Sequence, residues 1–297
     1  MCLADNFRHA FTVMHTAYVF LVQDEELRLR QLQPIDWLAL LLGALCHDLG
    51  HDGLTNAYHV NSASELARRW NDSSVLENHH CAAGAAAVER AGILAALDAA
   101  TQRVFRKSFV NAVLSTDMGK HQDLLARVTA RLAVPPGFSR DSLDDRLLLV
   151  AFVLHCADLC TVLLPPDMSR RVAESLSAEF ARQAELERAE GLPVTVMVAH
   201  DEAGKAKMEL GFIDFGAPKQ ALTNEPVFWC CQPLTNAPLC FAVCKPLYVK
   251  LAAVCPGLGP HCLSCIERNR EMWAAVLARA DMARRRSLDG SERPRKA

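Results

Sequence analysis

The stretch Trp37–His51 reads WLALLLGALCHDLGH: an apolar run that passes straight into His47 and Asp48, with His51 one helical turn beyond His47. The apolar part, Trp37 to Cys46, falls well short of the roughly 20 residues that a membrane-spanning helix needs. It reads as a buried helix. An unpaired carboxylate is costly to bury, so Asp48 at the end of such a helix calls for a cation, either a metal or a basic side chain.

Outward from this stretch, apolar residues recur at spacings of three and four through Phe11–Val22, Ile35–Cys46, Ala82–Leu97, Phe105–Ser115, Leu147–Cys156 and Val172–Ala184. Val194–Val198 (VTVMV) is the only β-rich pentamer, so the expected class is all-α. Two of these helices bring further ligand-type residues. His9 lies upstream on an amphipathic helix, and Asp158, in LHCADLC, is a second lone carboxylate in an apolar helix. Imidazoles and carboxylates from three helices suit zinc or another transition metal, with Asp48 able to bridge to a second, harder ion such as magnesium or manganese. In LENHH, Glu77 and His80 share one helix face, and Asp117 in STDMGKH is another isolated acid. Singly, each of these residues reads as readily as a capping, salt-bridged or solvated side chain. Together they would need eight separate explanations.

The 297 residues are 51% hydrophobic and 22% charged, enough to bury a large core. A net charge of -2 and a pI near 6.6 supply no basic field for nucleic acid, which favours a small-molecule substrate. The N-terminal MCLADNFRHA lacks the pattern of a secretory leader, so a cytoplasmic location is expected. Of the twelve cysteines, Cys46, Cys81, Cys156 and Cys160 sit singly in apolar helices and are expected reduced and buried. The lone pair Cys262–Cys265 is weak support for zinc. Residues 217–244, rich in proline and cysteine, read as an insert. From Arg284 to the end, RRRSLDGSERPRKA is too polar to pack and reads as a disordered basic tail over 284–297.

The blocks NFRHAF, CHDLGH, NSASELARRWNDSSVLENHH, LSTDMGKH, HCADL, GFIDF, KPLYVKLAAV and ERNREMW follow one another from Asn6 to Trp273. In order and spacing they resemble the catalytic domain of class I 3′,5′-cyclic nucleotide phosphodiesterases, within the HD metal-hydrolase group. The resemblance implies a catalytic domain over 1–283, shortened on its N-terminal side and interrupted at about 217–244. It implies two divalent ions, Zn2+ with Mg2+ or Mn2+, the first held by His9, His47, Asp48 and Asp158. His51, Glu77, His80 and Asp117 would surround the second. Met118, Thr161, Leu176, Glu209 and Phe212 fall at substrate positions, Phe212 and Leu176 as the two jaws of a purine clamp. The implied reaction is hydrolysis of cyclic AMP, cyclic GMP or both to 5′-nucleoside monophosphates, with neither nucleic acid nor a membrane span involved and a homodimer admissible.

Some positions depart from the family pattern. Its opening motif, Tyr-His-Asn-x-x-His, is here Ala4-Asp5-Asn6-Phe7-Arg8-His9, so Asp5 replaces the proton-donating histidine. An ordinary aspartate is ionised at neutral pH, and loss of a general acid typically costs about 10²–10⁴-fold in rate. Glu209 stands where the family has a glutamine for the purine edge, and a carboxylate only accepts hydrogen bonds. Thr161 and Val162 replace an Asn or His and a Pro, and Asp52 replaces a common proline. The alternative reading is therefore a catalytically degenerate homologue that serves as a regulatory or binding module.

Overall fold

The computed structural model describes residues 7–214 and 244–291, and among them there is no strand. The helices are α1 (Phe7–Gln23), α2 (Pro34–Cys46), α3 (Asn56–Asn61), α4 (Glu65–Trp70), α5 (Val75–Arg90), α6 (Ala99–Leu114), α7 (His121–Leu132), α8 (Leu143–Asp158), α9 (Pro166–Ala189), α10 (Glu202–Asp214), α11 (Cys244–Val254) and α12 (Gly259–Ser291). The axis of the core is α8. Every residue from Leu148 to Ala157 is buried, as an all-round apolar helix requires. α1, α2, α6, α7 and α11 pack around it. Ser142 starts α8 by accepting the Asp145 N–H at 3.2 Å. α2 begins with Pro34 in its first turn and with the Asp36 carboxylate accepting the Gln33 N–H at 3.0 Å. Both helices thus have fixed starts, and their far ends deliver Asp158 and His47–Asp48.

Several expectations need correction. The helix read over Ala82–Leu97 is α5, which starts at Val75 and stops at Arg90; Gly92, at φ +66°, turns the chain away. VTVMV pairs with no strand among the described residues: the Thr195 N–H goes instead to Glu187 at 3.0 Å. The polar tail is helical over its first part, because α12 continues through Arg284 to Ser291. Alanine, arginine and leucine are strong helix formers, and an exposed helix needs no packed face to extend a few turns. Residues 292–297 lie outside the described residues, as do 217–243 of the insert; Cys244 opens α11 and is buried. Cys46, Cys81, Cys156 and Cys160 are buried free thiols. No described helix is long and apolar enough to cross a membrane.

Candidate metal centre

α2 ends at Cys46, and the chain then makes a tight turn in which the Leu49 N–H bonds the Cys46 carbonyl at 3.1 Å and the His51 N–H bonds the Asp48 carbonyl at 3.0 Å. Gly50 sits at φ +84°, and a Cβ there would lie 2.8 Å from His79 Nε2, so this position requires glycine. The turn points His47 and Asp48 at His9 from α1 and at Asp158, the last residue of α8. His47 Nε2 is 3.1 Å from Asp48 Oδ2 and 3.1 Å from Asp158 Oδ1. His9 Nε2 is 3.4 Å from Asp48 Oδ2, 3.1 Å from Asp158 Oδ1 and 3.2 Å from His47 Nε2. Four residues from three segments far apart in sequence therefore bring their ligand atoms together.

The donor set fits a metal. His47 Nδ1 donates to the Ala44 carbonyl at 2.7 Å, so the neutral ring has its lone pair on Nε2, the atom facing the cluster. Donor atoms of His9, His47 and Asp48 all lie within 4.8 Å of one another. Burial opposes ionisation of Asp48 and Asp158, but His47 and then His9 outweigh it, and both carboxyls are held well below the usual carboxylate range. Burial likewise opposes protonation of His9 and His47. The neighbouring aspartates win, and both imidazoles are raised. Two ionised carboxylates at this depth demand positive charge between them.

Around this point lies a second tier. His80 Nδ1 donates to the Leu49 carbonyl at 3.0 Å, and its Nε2 faces Asp48 Oδ1 at 4.0 Å. Burial lowers its pKa to about 4, so at neutral pH it is an uncharged acceptor toward Asp48's side. The His51 ring stacks on His80 with centroids 5.6 Å apart, and its Nδ1 accepts the Gly53 N–H at 2.9 Å. His51 therefore carries its proton on Nε2. Glu77 is gripped by the Asn56 amide at 2.9 and 3.2 Å, while burial and the charge of Asp117 raise its pKa to about 7. Asp117 accepts from the Ser74 hydroxyl at 2.7 Å and from the Gly119 N–H at 2.8 Å. Sequence reading missed Asn56 and Ser74. Asn56 opens α3 and Ser74 is the N-cap position of α5, places where polar residues are ordinary, and only the folded chain shows their partners.

The positions read for substrate lie on further elements. Met118 follows Asp117 and packs partly buried on the main core, as does Phe212 on α10. Thr161 is in the 3₁₀ turn Cys160–Leu163 just after Asp158, and Leu176 is half-buried on α9. Glu209, half-buried on α10, is raised to about 7 by burial. Asp5 lies outside the described residues.

Comparison with known proteins bears on what this arrangement is. The family model for 3′5′-cyclic nucleotide phosphodiesterases matches residues 5–236. A mouse high affinity cGMP-specific 3′,5′-cyclic phosphodiesterase 9A is 32% identical over 71% of this chain and 39% of its own length. The 3′,5′-cyclic-nucleotide phosphodiesterase regA of Dictyostelium discoideum is 33% identical over 92% of this chain and 31% of its own. The chain thus spans between 31% and 39% of these two curated relatives. Among solved structures, the phosphodiesterase domain of the RhoPDE fusion protein of Salpingoeca rosetta superposes with a TM-score of 0.80 at 32% identity, covering 93% of this chain and 79% of that one. With the family model matching most of its length, and with the ligand cluster at the meeting point of α1, α2 and α8, the chain belongs to the 3′5′-cyclic nucleotide phosphodiesterase family.

Proposed function

We propose that the chain hydrolyses 3′,5′-cyclic nucleotides to 5′-nucleoside monophosphates at a two-ion site. Membership of the family implies dependence on divalent metal ions; Zn2+ at the first position and Mg2+ or Mn2+ at the second are our assignment. The observation that carries the reading is the convergence of His9, His47, Asp48 and Asp158 at 3.1–3.4 Å, with His47 locked in the ligand tautomer by Ala44. In this reading His9, His47, Asp48 and Asp158 would hold the first ion, and Asp48 with His51, Glu77, His80 and Asp117 would surround the second. When bound, the ions supply Lewis-acid polarisation of the phosphate and a nucleophile at neutral pH.

The chain's own residues then orient and move protons. His80 accepts, His51 donates through Nε2–H, and Glu77, poised near pH 7 on the Asn56 amide, can do either. At the base end, Phe212 and Leu176 would sandwich the purine while Met118 and Thr161 flank it. Below pH 7 a protonated Glu209 offers one donor and one acceptor, as an amide does; above it, only acceptors. Protonation of the 3′ leaving oxygen would fall to Asp5.

The test is hydrolysis of cyclic AMP and cyclic GMP with Zn2+ and Mg2+ or Mn2+ supplied, abolished by chelation and restored by metal. Substitutions at Asp5 and Glu209 give the degenerate reading its own footing. If wild-type protein turns over neither nucleotide while the double variant Asp5→His, Glu209→Gln does, that second reading holds.

A further inference from the structure

α9 buries polar side chains at helical spacing: Glu179 is 3% exposed, Gln183 1% and Glu187 0%. Such groups stay buried only when bonded. Gln183 Oε1 accepts the Thr55 N–H at 2.9 Å, while its Nε2 donates to Thr55 Oγ1 at 2.9 Å and to Glu187 Oε1 at 2.9 Å, with Thr195 Oγ1 at 3.0 Å. Glu187 also accepts the Thr195 N–H at 3.0 Å and the Thr195 hydroxyl. With Glu187 Oε1 facing Gln183 Nε2 and its oxygens also taking the Thr195 N–H and hydroxyl, the NH₂ end of Gln183 is held toward Glu187, which fixes which way the amide reads Thr55.

Thr55 is four residues after His51 and caps α3. Between them Gly53, at φ +80°, gives its N–H to His51 Nδ1 at 2.9 Å. Arg182, next to Gln183 on α9, donates to the carbonyls of Asp52 at 3.3 Å and Gly53 at 3.2 Å. The segment from His51 to Thr55 is thus clamped along its length by α9, and the bond that sets the His51 tautomer belongs to a residue inside that clamp.

We infer that Gln183 is a positioning residue that, through Thr55 and Gly53, fixes the orientation and tautomer of His51 beside the second ion; this rests on the role proposed above for His51. Gln183→Met, similar in volume but unable to form these bonds, tests it in the full chain, with Thr55→Val as a second variant should the first fold poorly. Tyr58→Phe is the reference, since it removes only the bond from the Tyr58 hydroxyl to Glu190, just past the end of α9, at 3.0 and 3.1 Å. Both test variants should bind Mn2+ about 10–100-fold more weakly by calorimetry and lose a comparable factor in kcat, with KM moving less than about threefold. Thr55→Ser should recover both, and Tyr58→Phe should leave them at wild-type values. Lower melting temperatures with unchanged Mn2+ affinity and kcat would overturn the inference, because a purely structural clamp predicts that result. Should wild-type protein hydrolyse neither nucleotide, the proposed reaction fails on its own, and equal Mn2+ affinities of wild type and Gln183→Met would still overturn this one.

Discussion

Asp48 and Asp158 on one side, and Glu77 and Glu209 on the other, are carboxyls at least partly withdrawn from water, yet they shift in opposite directions. Burial pushes all four toward the neutral acid. For the aspartates His47 and His9 overcome it and hold the groups ionised. Glu77 has Asp117's negative charge beside it, which Asn56 and Lys120 do not offset, and Glu209 has burial alone; both rise to about 7. Depth therefore does not decide whether a carboxyl here binds a cation or a proton. Its neighbours do, and in the reading proposed above they divide the site into a metal pole and a protonatable pole.

The largest effect should come from unbalancing the metal pole. Asp48→Ala is expected to strip the protein of metal and to lower kcat by more than the roughly 10–100-fold typical of an outer partner. Metal analysis of the purified variant checks this, and an unchanged content would contradict the ligand assignment. Next, the comparison predicts that KM for a cyclic nucleotide rises between pH 6 and pH 8 as Glu209 loses its proton. Glu209→Gln should flatten that rise and lower KM at pH 8 by about tenfold, the cost of one mismatched buried hydrogen bond. Parallel pH profiles for the two proteins would remove Glu209 from the purine edge.

A smaller effect concerns stability. Between the ordinary value of 4.5 and about 7, folded Glu77 keeps a proton that the unfolded chain has released, so its contribution falls as pH rises through that window and is flat above it. His80, lowered to about 4, acts oppositely: its contribution is lost as pH falls from 6.5 toward 4. The difference between wild type and Glu77→Gln isolates the first, and urea unfolding at pH 5 and pH 8 should show it as a change on the order of 2 kcal/mol. No change would mean that Glu77 stays ionised. Smallest is Ser142→Ala, which removes the cap of α8, should cost about 1 kcal/mol and should leave metal affinity alone. A weakened site in that variant would show that the metal pole depends on the start of α8 as well as on its ligands.

The sequence exposed the metal pole because ionisable residues stood out against apolar surroundings: His47 and Asp48 after the α2 run, Asp158 directly after the buried stretch Leu148–Ala157 of α8. It exposed the helices wherever one face was apolar. The clamp on the His51 loop was hidden for the opposite reason. Gln183 and Glu187 look like ordinary solvent-facing residues of a polar helix, and what buries them is a bond to Thr195 across a turn and to Thr55 over a hundred residues away. Asn56 escaped notice on similar grounds, since its partner Glu77 is joined to it only by the fold. The overrun past Arg90 arose because an alanine-rich run keeps helical spacing until Gly92 turns it.

The core's sulfur has a consequence for handling the protein. Cys156, Cys160, Cys244, Cys255 and Cys262 are all buried with their thiols pushed up, Cys160 and Cys262 to about 12, by removal from water. Thiolate is the reactive form, so the native fold acts as its own antioxidant. Heating in air withdraws that protection from every one of these thiols at once, and the opened chains can cross-link before they refold. Without a reductant, a thermal scan then measures the speed of loss rather than an equilibrium, and the apparent midpoint should move with heating rate.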